Sequence, residues 1–171
     1  MRRLLGKGAR GVVLDLRDNG GGLLNEAVAV ASVFLPDGKV VSTRGRARPE
    51  KVYNASGDAI DTRIPVAVLV NGDSASASEI VTGALQDRHR ATVVGTHTFG
   101  KGVFQEIERL SNGGALDITV GEYFTPSGRN LGGGGVRRGA GITPNVRALD
   151  NPRTKPDEGL RTALRVVAAK V

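Results

Sequence analysis

The segment Asn71-Gly72-Asp73-Ser74-Ala75-Ser76-Ala77-Ser78-Glu79-Ile80 packs three hydroxyls into a turn of small residues. An apolar run, Pro65 to Val70, leads into it, and a helix-like run, Ile80 to Gln86, leads out. A hydroxyl-rich turn between a buried strand and a helix is where α/β enzymes often hold a serine nucleophile. Ser76 stands apart from Ser74 and Ser78 because Ser76-Ala77-Ser78-Glu79 has capping-box spacing, with Glu three residues after the cap. Locally, the simpler account is that Ser76 only caps the helix. The alternative uses the same place: the free backbone N–H groups at a helix start can hold an oxyanion beside a nucleophilic hydroxyl.

A serine nucleophile needs a base. His89 lies in Asp87-Arg88-His89-Arg90, a polar run that reads as a solvated surface turn. His97 follows an apolar strand, and a Ser–His pair is a matter of geometry that spacing alone leaves open. Lys101 is the third choice, flanked by glycines in Thr98-Phe99-Gly100-Lys101-Gly102 in a chain with only six lysines. A lysine acting as base must be neutral near neutral pH, so its pKa must fall from about 10.4, which burial against apolar walls achieves. Phe99, Val103 and Phe104 are candidates for such walls. Taken alone, the residue reads as an ordinary solvated lysine.

A third segment, Asp15-Leu16-Arg17-Asp18-Asn19-Gly20-Gly21-Gly22-Leu23-Leu24, sets three glycines after an apolar strand. Glycines there let backbone approach a partner closely. The spacing fits neither a dinucleotide turn nor a phosphate loop ending in Gly-Lys-Ser/Thr. An N–H donor for an oxyanion is one reading, and a plain flexible turn is the simpler one.

The elements that must position these residues alternate. Val12 to Leu16 reads as a strand buried on both faces. Leu23 to Leu35 carries apolar residues at helical spacing and stops at Pro36-Asp37-Gly38. Val40 to Thr43 and Lys51 to Asn54 read as two exposed strands around a basic loop. Pro65 to Val70 is a second buried strand, Ser76 to Gln86 a helix, and Ala91 to Thr96 a third buried strand. Val103 to Leu110 and Ala115 to Phe124 form a hairpin about Ser111-Asn112-Gly113-Gly114. Residues 126 to 140 form a Gly- and Arg-rich loop, and Asp157 to Ala169 is an amphipathic helix. This order predicts an α/β fold with a mainly parallel core and an added antiparallel part.

Composition narrows the function classes. The chain has 171 residues, 39% hydrophobic and 24% charged, enough for one domain with a sizeable core. It has no cysteine, which removes disulfides, thiolate metal sites and cysteine nucleophiles. Net charge is +7, but the basic residues are scattered and aromatics are 4%, a poor platform for nucleic acid. No stretch approaches the roughly 18 apolar residues of a membrane span, and Met1-Arg2-Arg3-Leu4-Leu5 lacks the apolar run of a signal peptide. Leu4 and Leu5 look like the end of a helix, so the chain reads as an N-terminally truncated domain.

The three chemical segments, together with Gly83-Ala84-Leu85-Gln86-Asp87, Thr98-Phe99-Gly100-Lys101-Gly102-Val103-Phe104-Gln105, Tyr123 to Arg129 and Gly141 to Val146, resemble the C-terminal processing (tail-specific) serine peptidases. The resemblance runs over nearly the whole chain, in order. It implies a crotonase/Clp-protease-like core and a serine–lysine dyad: Ser76 as nucleophile, Lys101 as general base and Gln105 as the residue orienting that lysine. It further implies oxyanion donors at the backbone of Ala77 and of Gly21 or Gly22, and a supporting role for Asp87. Metal and cofactor are not needed. The implied partners are proteins or peptides with flexible apolar C-terminal tails, with a homo-oligomer possible, and the implied location is extracytoplasmic, periplasmic or secreted. Two departures stand out. Gly20 occupies a position where members usually carry proline, and the PDZ domain that members carry upstream is absent from this sequence. The competing readings are a non-catalytic peptide-binding or assembly module of the same fold and, more distantly, a crotonase-like enzyme acting on a thioester.

Overall fold

Four short strands built from Val, Leu and Ala runs lie side by side in a computed structural model that describes residues 1–149 and 156–171. They are β1 (Val12–Asp15), β4 (Val66–Val70), β5 (Thr92–Gly95) and β8 (Val146–Arg147), all parallel, in spatial order β1-β4-β5-β8. The second sheet is antiparallel, with β2 (Lys39–Gly45), β3 (Arg48–Asn54), β6 (Val103–Arg109) and β7 (Ala115–Phe124) in order β3-β2-β7-β6. Among the described residues the helices are α1 (Arg2–Leu5), α2 (Leu24–Ser32), α3 (Ala77–Asp87) and α4 (Glu158–Ala168). None is long and apolar enough to cross a membrane.

β4 explains how the layers assemble. Successive side chains of a strand point to opposite faces. Val66, Val68 and Val70 accordingly join the core beneath α2 and α3 with Ala31, Phe34, Ile80 and Leu85. Ala67 and Leu69 face the other way and pack with Val94, Ala163 and Val167 under α4. All five β4 residues are buried. Each Val or Leu so enclosed contributes about 1.5–3 kcal/mol. Asp157 begins α4 by accepting the Leu160 N–H at 2.7 Å, and Arg17, just past β1, pairs with Asp157 at 2.8 Å and Asp15 at 2.7 Å.

Several elements depart from their sequence reading. β1 is only half-buried, because among the described residues it forms the edge of the parallel sheet. Of the two strands expected to be exposed, only β3 is. β2 is enclosed between β3 and β7, with Val40 and Val41 in the core. The helix expected to run from Leu23 to Leu35 ends at Ser32, whose hydroxyl donates to the Val28 carbonyl and accepts the Ser56 N–H. β8 has two residues, too few for a period to register.

Candidate active site

The carboxyl ends of parallel strands are where α/β folds place ligands, and the three chemical segments leave β1, β4 and β5 at that end. Hydrogen bonds clasp the first two together. The Asn71 side chain accepts the Asp18 N–H at 3.0 Å and donates to the Asp18 carboxylate at 2.8 Å. The Ser74 hydroxyl, fully buried, donates to the Leu16 carbonyl at 2.7 Å. The Ala75 N–H donates to the Asn19 carbonyl at 3.0 Å. Ser74 is thereby committed to structure, and so is Ser78, buried inside the first turn of α3.

Ser76 is the N-cap of α3 and has φ +55°, a left-handed conformation that non-glycine residues rarely adopt. Such strain persists only where the surroundings enforce it. Gly21 is part of those surroundings. Its φ is +102°, and a Cβ there would stand 2.7 Å from the Ala75 carbonyl oxygen, 2.8 Å from the Ala77 nitrogen and 2.9 Å from the Ser76 Cβ. The glycine turn therefore lies directly against the Ser76 elbow.

Glu79 enforces the rest. Its side chain is fully buried and its carboxylate accepts four hydrogen bonds. The N–H groups of Ser76 and Lys101 reach Oε2, each at 2.9 Å. The Gly100 N–H, at 2.7 Å, and the Thr98 hydroxyl, at 2.5 Å, reach Oε1. The Thr98 hydroxyl in turn accepts the Ile142 N–H at 2.7 Å. One carboxylate thus ties the backbone of Ser76 to the backbone of Lys101. The sequence signals Glu79 only as the far member of a capping box. That box forms, but its partners in the Lys101 loop are tertiary.

The Gly- and Arg-rich loop has a similar task. Gly102 donates to the Gly135 carbonyl at 3.1 Å and Arg137 to the Gly100 carbonyl at 2.9 Å. Gly139 donates to the Phe99 carbonyl at 2.8 Å. The Lys101 segment is thereby held from both sides. A cavity of about 250 Å³ brings Ser76 and Lys101 together with Gly22, Gln105 and Tyr123. Gln105 is exposed on β6 and makes no hydrogen bond to Lys101 among the described residues. Tyr123 packs on Phe104 with ring centroids 5.5 Å apart, and burial, then Tyr53, pushes its hydroxyl up to about 12. A second cavity, of about 150 Å³, adjoins Gly22 and Ala77 and is walled by Leu16, Leu23, Ala27 and Val81.

Of the two glycines expected to serve an oxyanion, Gly21 donates its N–H to the Asn19 side chain at 3.0 Å. Gly22 and Ala77 both line the second cavity, and Ala77, as the first residue of α3, has no intrahelical acceptor for its N–H.

Residues 1–148 match the model of peptidase family S41. The chain belongs to that family. It is 50% identical over 157 residues to a carboxy-terminal-processing protease of Bartonella bacilliformis, which covers 91% of this chain and 34% of the relative. It is 44% identical over 131 residues to a carboxyl-terminal-processing protease of Synechocystis, covering 77% of this chain and 30% of the relative. This chain thus spans about a third of the length of these relatives. Among solved structures, a photosystem II D1 C-terminal processing protease superposes with TM-score 0.78 at 37% identity, over 96% of this chain and 40% of that one.

Other residues of this S41 chain lie away from the cavity. Asp87, at the far end of α3, accepts the Ser127 N–H at 3.0 Å and hydroxyl at 2.6 Å and pairs with Arg129. Burial alone would push its carboxyl up, but the hydrogen bonds from Ser127 and Thr125, with the Arg129 charge, hold it below the usual carboxylate range. Asp87 fixes the turn after β7 and does not meet Ser76. His97 is exposed and faces the Thr143 hydroxyl at 3.4 Å, and His89 is exposed in a turn with φ +52°. Neither lines the cavity that holds Ser76.

Proposed function

We propose that this chain is a serine peptidase core that hydrolyses proteins near flexible, apolar C-terminal tails through a Ser76–Lys101 dyad. The observation that carries this reading is the shared cavity of Ser76 and Lys101, their backbones tied to one buried carboxylate. Neutral Lys101 takes the proton from the Ser76 hydroxyl as its oxygen attacks the scissile carbonyl carbon. The tetrahedral oxyanion rests on the N–H groups of Ala77 and Gly22, the choice of Gly22 being supported by the bond that occupies Gly21. The protonated lysine passes its proton to the leaving amine, the C–N bond breaks and an acyl-enzyme remains. Water then attacks the ester, giving a proton to Lys101; the ester C–O bond breaks, Lys101 returns that proton to the Ser76 oxygen, and the carboxylic acid product leaves. Gln105, on the same cavity wall, orients the lysine once substrate fills the space. The apolar walls of the adjoining cavity support a preference for apolar side chains next to the cleaved bond. We place this hydrolysis outside the cytoplasm, in keeping with the family resemblance.

The test is turnover of a fluorogenic peptide with a flexible apolar tail. Ser76→Ala and Lys101→Ala are each expected to lower kcat by at least about 10³-fold, the scale seen when a member of a catalytic unit is removed. Full activity in Lys101→Ala together with its loss in His97→Ala would overturn the dyad. Peptide binding without turnover in the unaltered chain would favour the non-catalytic module.

A further inference from the structure

The β6–β7 hairpin forms one wall of the catalytic cavity, and its charge is at odds with the rest of the chain. Residues 103–124 hold Glu106, Glu108, Asp117 and Glu122 against Arg109 alone, in a protein of net charge +7. Glu106 is paired with Arg48. Asp117 sits directly opposite Ile107 in the hairpin register, and both line the cavity that contains Ser76 and Lys101. Asp117 is exposed and makes no hydrogen bond or ion pair among the described residues, Lys101 included. The other hairpin residues that line the cavity are apolar or neutral, Val103, Phe104, Gln105, Ile107 and Tyr123, and Arg109, two positions beyond Ile107 on the same strand, does not line it. A carboxylate that makes no ion pair among the described residues, on a hairpin whose other cavity-lining residues are neutral, favours one kind of guest, a cation supplied by the substrate.

We propose that Asp117 is a specificity residue that selects substrates carrying a lysine or arginine a few residues from the scissile bond. The inference rests on the peptidase reading of the cavity and adds a charge requirement to its apolar preference. Lys101 and Ile107 are six residues apart, at most about 20 Å along an extended strand. After allowing for the reach of the lysine side chain, the selected position lies within about four substrate residues of the cleaved bond. The carboxylate is solvent-exposed, so its effect is modest and screened by salt.

The test separates binding from chemistry. Ten-residue fluorescent peptides with apolar C-terminal tails, carrying one lysine or one norleucine moved through successive positions, are titrated against the Ser76→Ala chain by anisotropy. At one or two adjacent positions the lysine peptide is expected to bind about two- to fivefold tighter at low salt. That ratio should fall to one in the Ser76→Ala/Asp117→Asn chain and in high salt. With Asp117→Lys, a glutamate peptide should become the preferred one. Equal binding of lysine and norleucine peptides at every position, or a ratio that survives Asp117→Asn, overturns the proposal, as does failure of every peptide to bind. A lysine preference in binding without turnover by the Ser76-intact chain would leave Asp117 its role and sink the peptidase reading instead.

Discussion

The two ends of α3 carry two acids that fold in the same manner and serve different purposes. Glu79, at the N-terminal end, gathers the backbone N–H groups of Ser76, Gly100 and Lys101 with the Thr98 hydroxyl. Asp87, at the C-terminal end, gathers the N–H and hydroxyl of Ser127 with the Arg129 guanidinium. Both replace water with protein donors, the condition for burying a carboxylate at tolerable cost. Glu79 joins the Ser76 and Lys101 loops, whereas Asp87 pins a turn outside the cavity. One helix therefore sets the site with one end and braces the sheet with the other.

Glu79→Ala separates the two ends most sharply. It strands the two N–H groups in the Lys101 segment, the Ser76 N–H and a buried hydroxyl, each costing about 1–3 kcal/mol when unpaired. Chemical denaturation is expected to show a loss of at least about 3 kcal/mol, and peptide turnover per folded molecule to fall at least about 100-fold. Glu79→Gln keeps the shape but turns an amide donor toward N–H donors, so it should also lose activity while folding better than the alanine variant. Wild-type turnover in Glu79→Ala would mean that the Ser76 and Lys101 loops hold their positions without it.

Much of this was legible in the sequence. The β4 run, the α3 capping box and the hairpin stand where local pattern put them, because short-range spacing decides all three. The roles proposed for Ser76, Lys101 and Gln105 rest on resemblance, since nothing local separates a helix cap or a solvated lysine from a dyad. The Glu79 network was not readable, because its acceptor geometry depends on a loop about 20 residues further along the chain. The burial of β2 was hidden for a similar reason: its alternation says nothing about β7, which pairs with it some 80 residues later. The clamp over Gly100 and Gly102 read as plain loop because backbone-to-backbone bonds leave no side-chain signature.

The N-terminal end of α3 also rests on the glycine turn, and neighbouring glycines there should behave oppositely. Gly21→Ala forces a Cβ at positive φ against the backbone of Ala75 and Ala77. It is expected to cost about 1–3 kcal/mol and to lower kcat about 10- to 100-fold by shifting the Ser76 elbow. Gly22→Ala meets nothing within 4 Å and retains its N–H, so kcat should remain within about threefold. Equal damage from the two substitutions would show that the Gly22 backbone also needs glycine, and would weaken the assignment of its N–H to the oxyanion.

The C-terminal end offers the smallest effect and a pH signature of its own. The Asp87 carboxyl is held below its unfolded value, so its ionised form stabilises the fold. That contribution is fully present above about pH 4, the unfolded carboxylate value, and is lost as pH falls through the depressed folded value. Asp87→Asn removes the contribution and leaves the Ser127 donors facing a neutral amide. Tm at pH 7 is expected to fall by about 2–6 °C, corresponding to about 1–2 kcal/mol. The gap from wild type should narrow as pH drops below about 4, because the wild-type carboxyl then protonates too. Turnover per folded molecule should change far less than in Glu79→Ala. A gap in Tm that stays constant down to pH 2 would assign the loss to packing and not to charge. A collapse of turnover in well-folded Asp87→Asn would erase the difference between the two ends, because the turn at Thr125 to Arg129 would then have to reach the cavity through β7 and Tyr123.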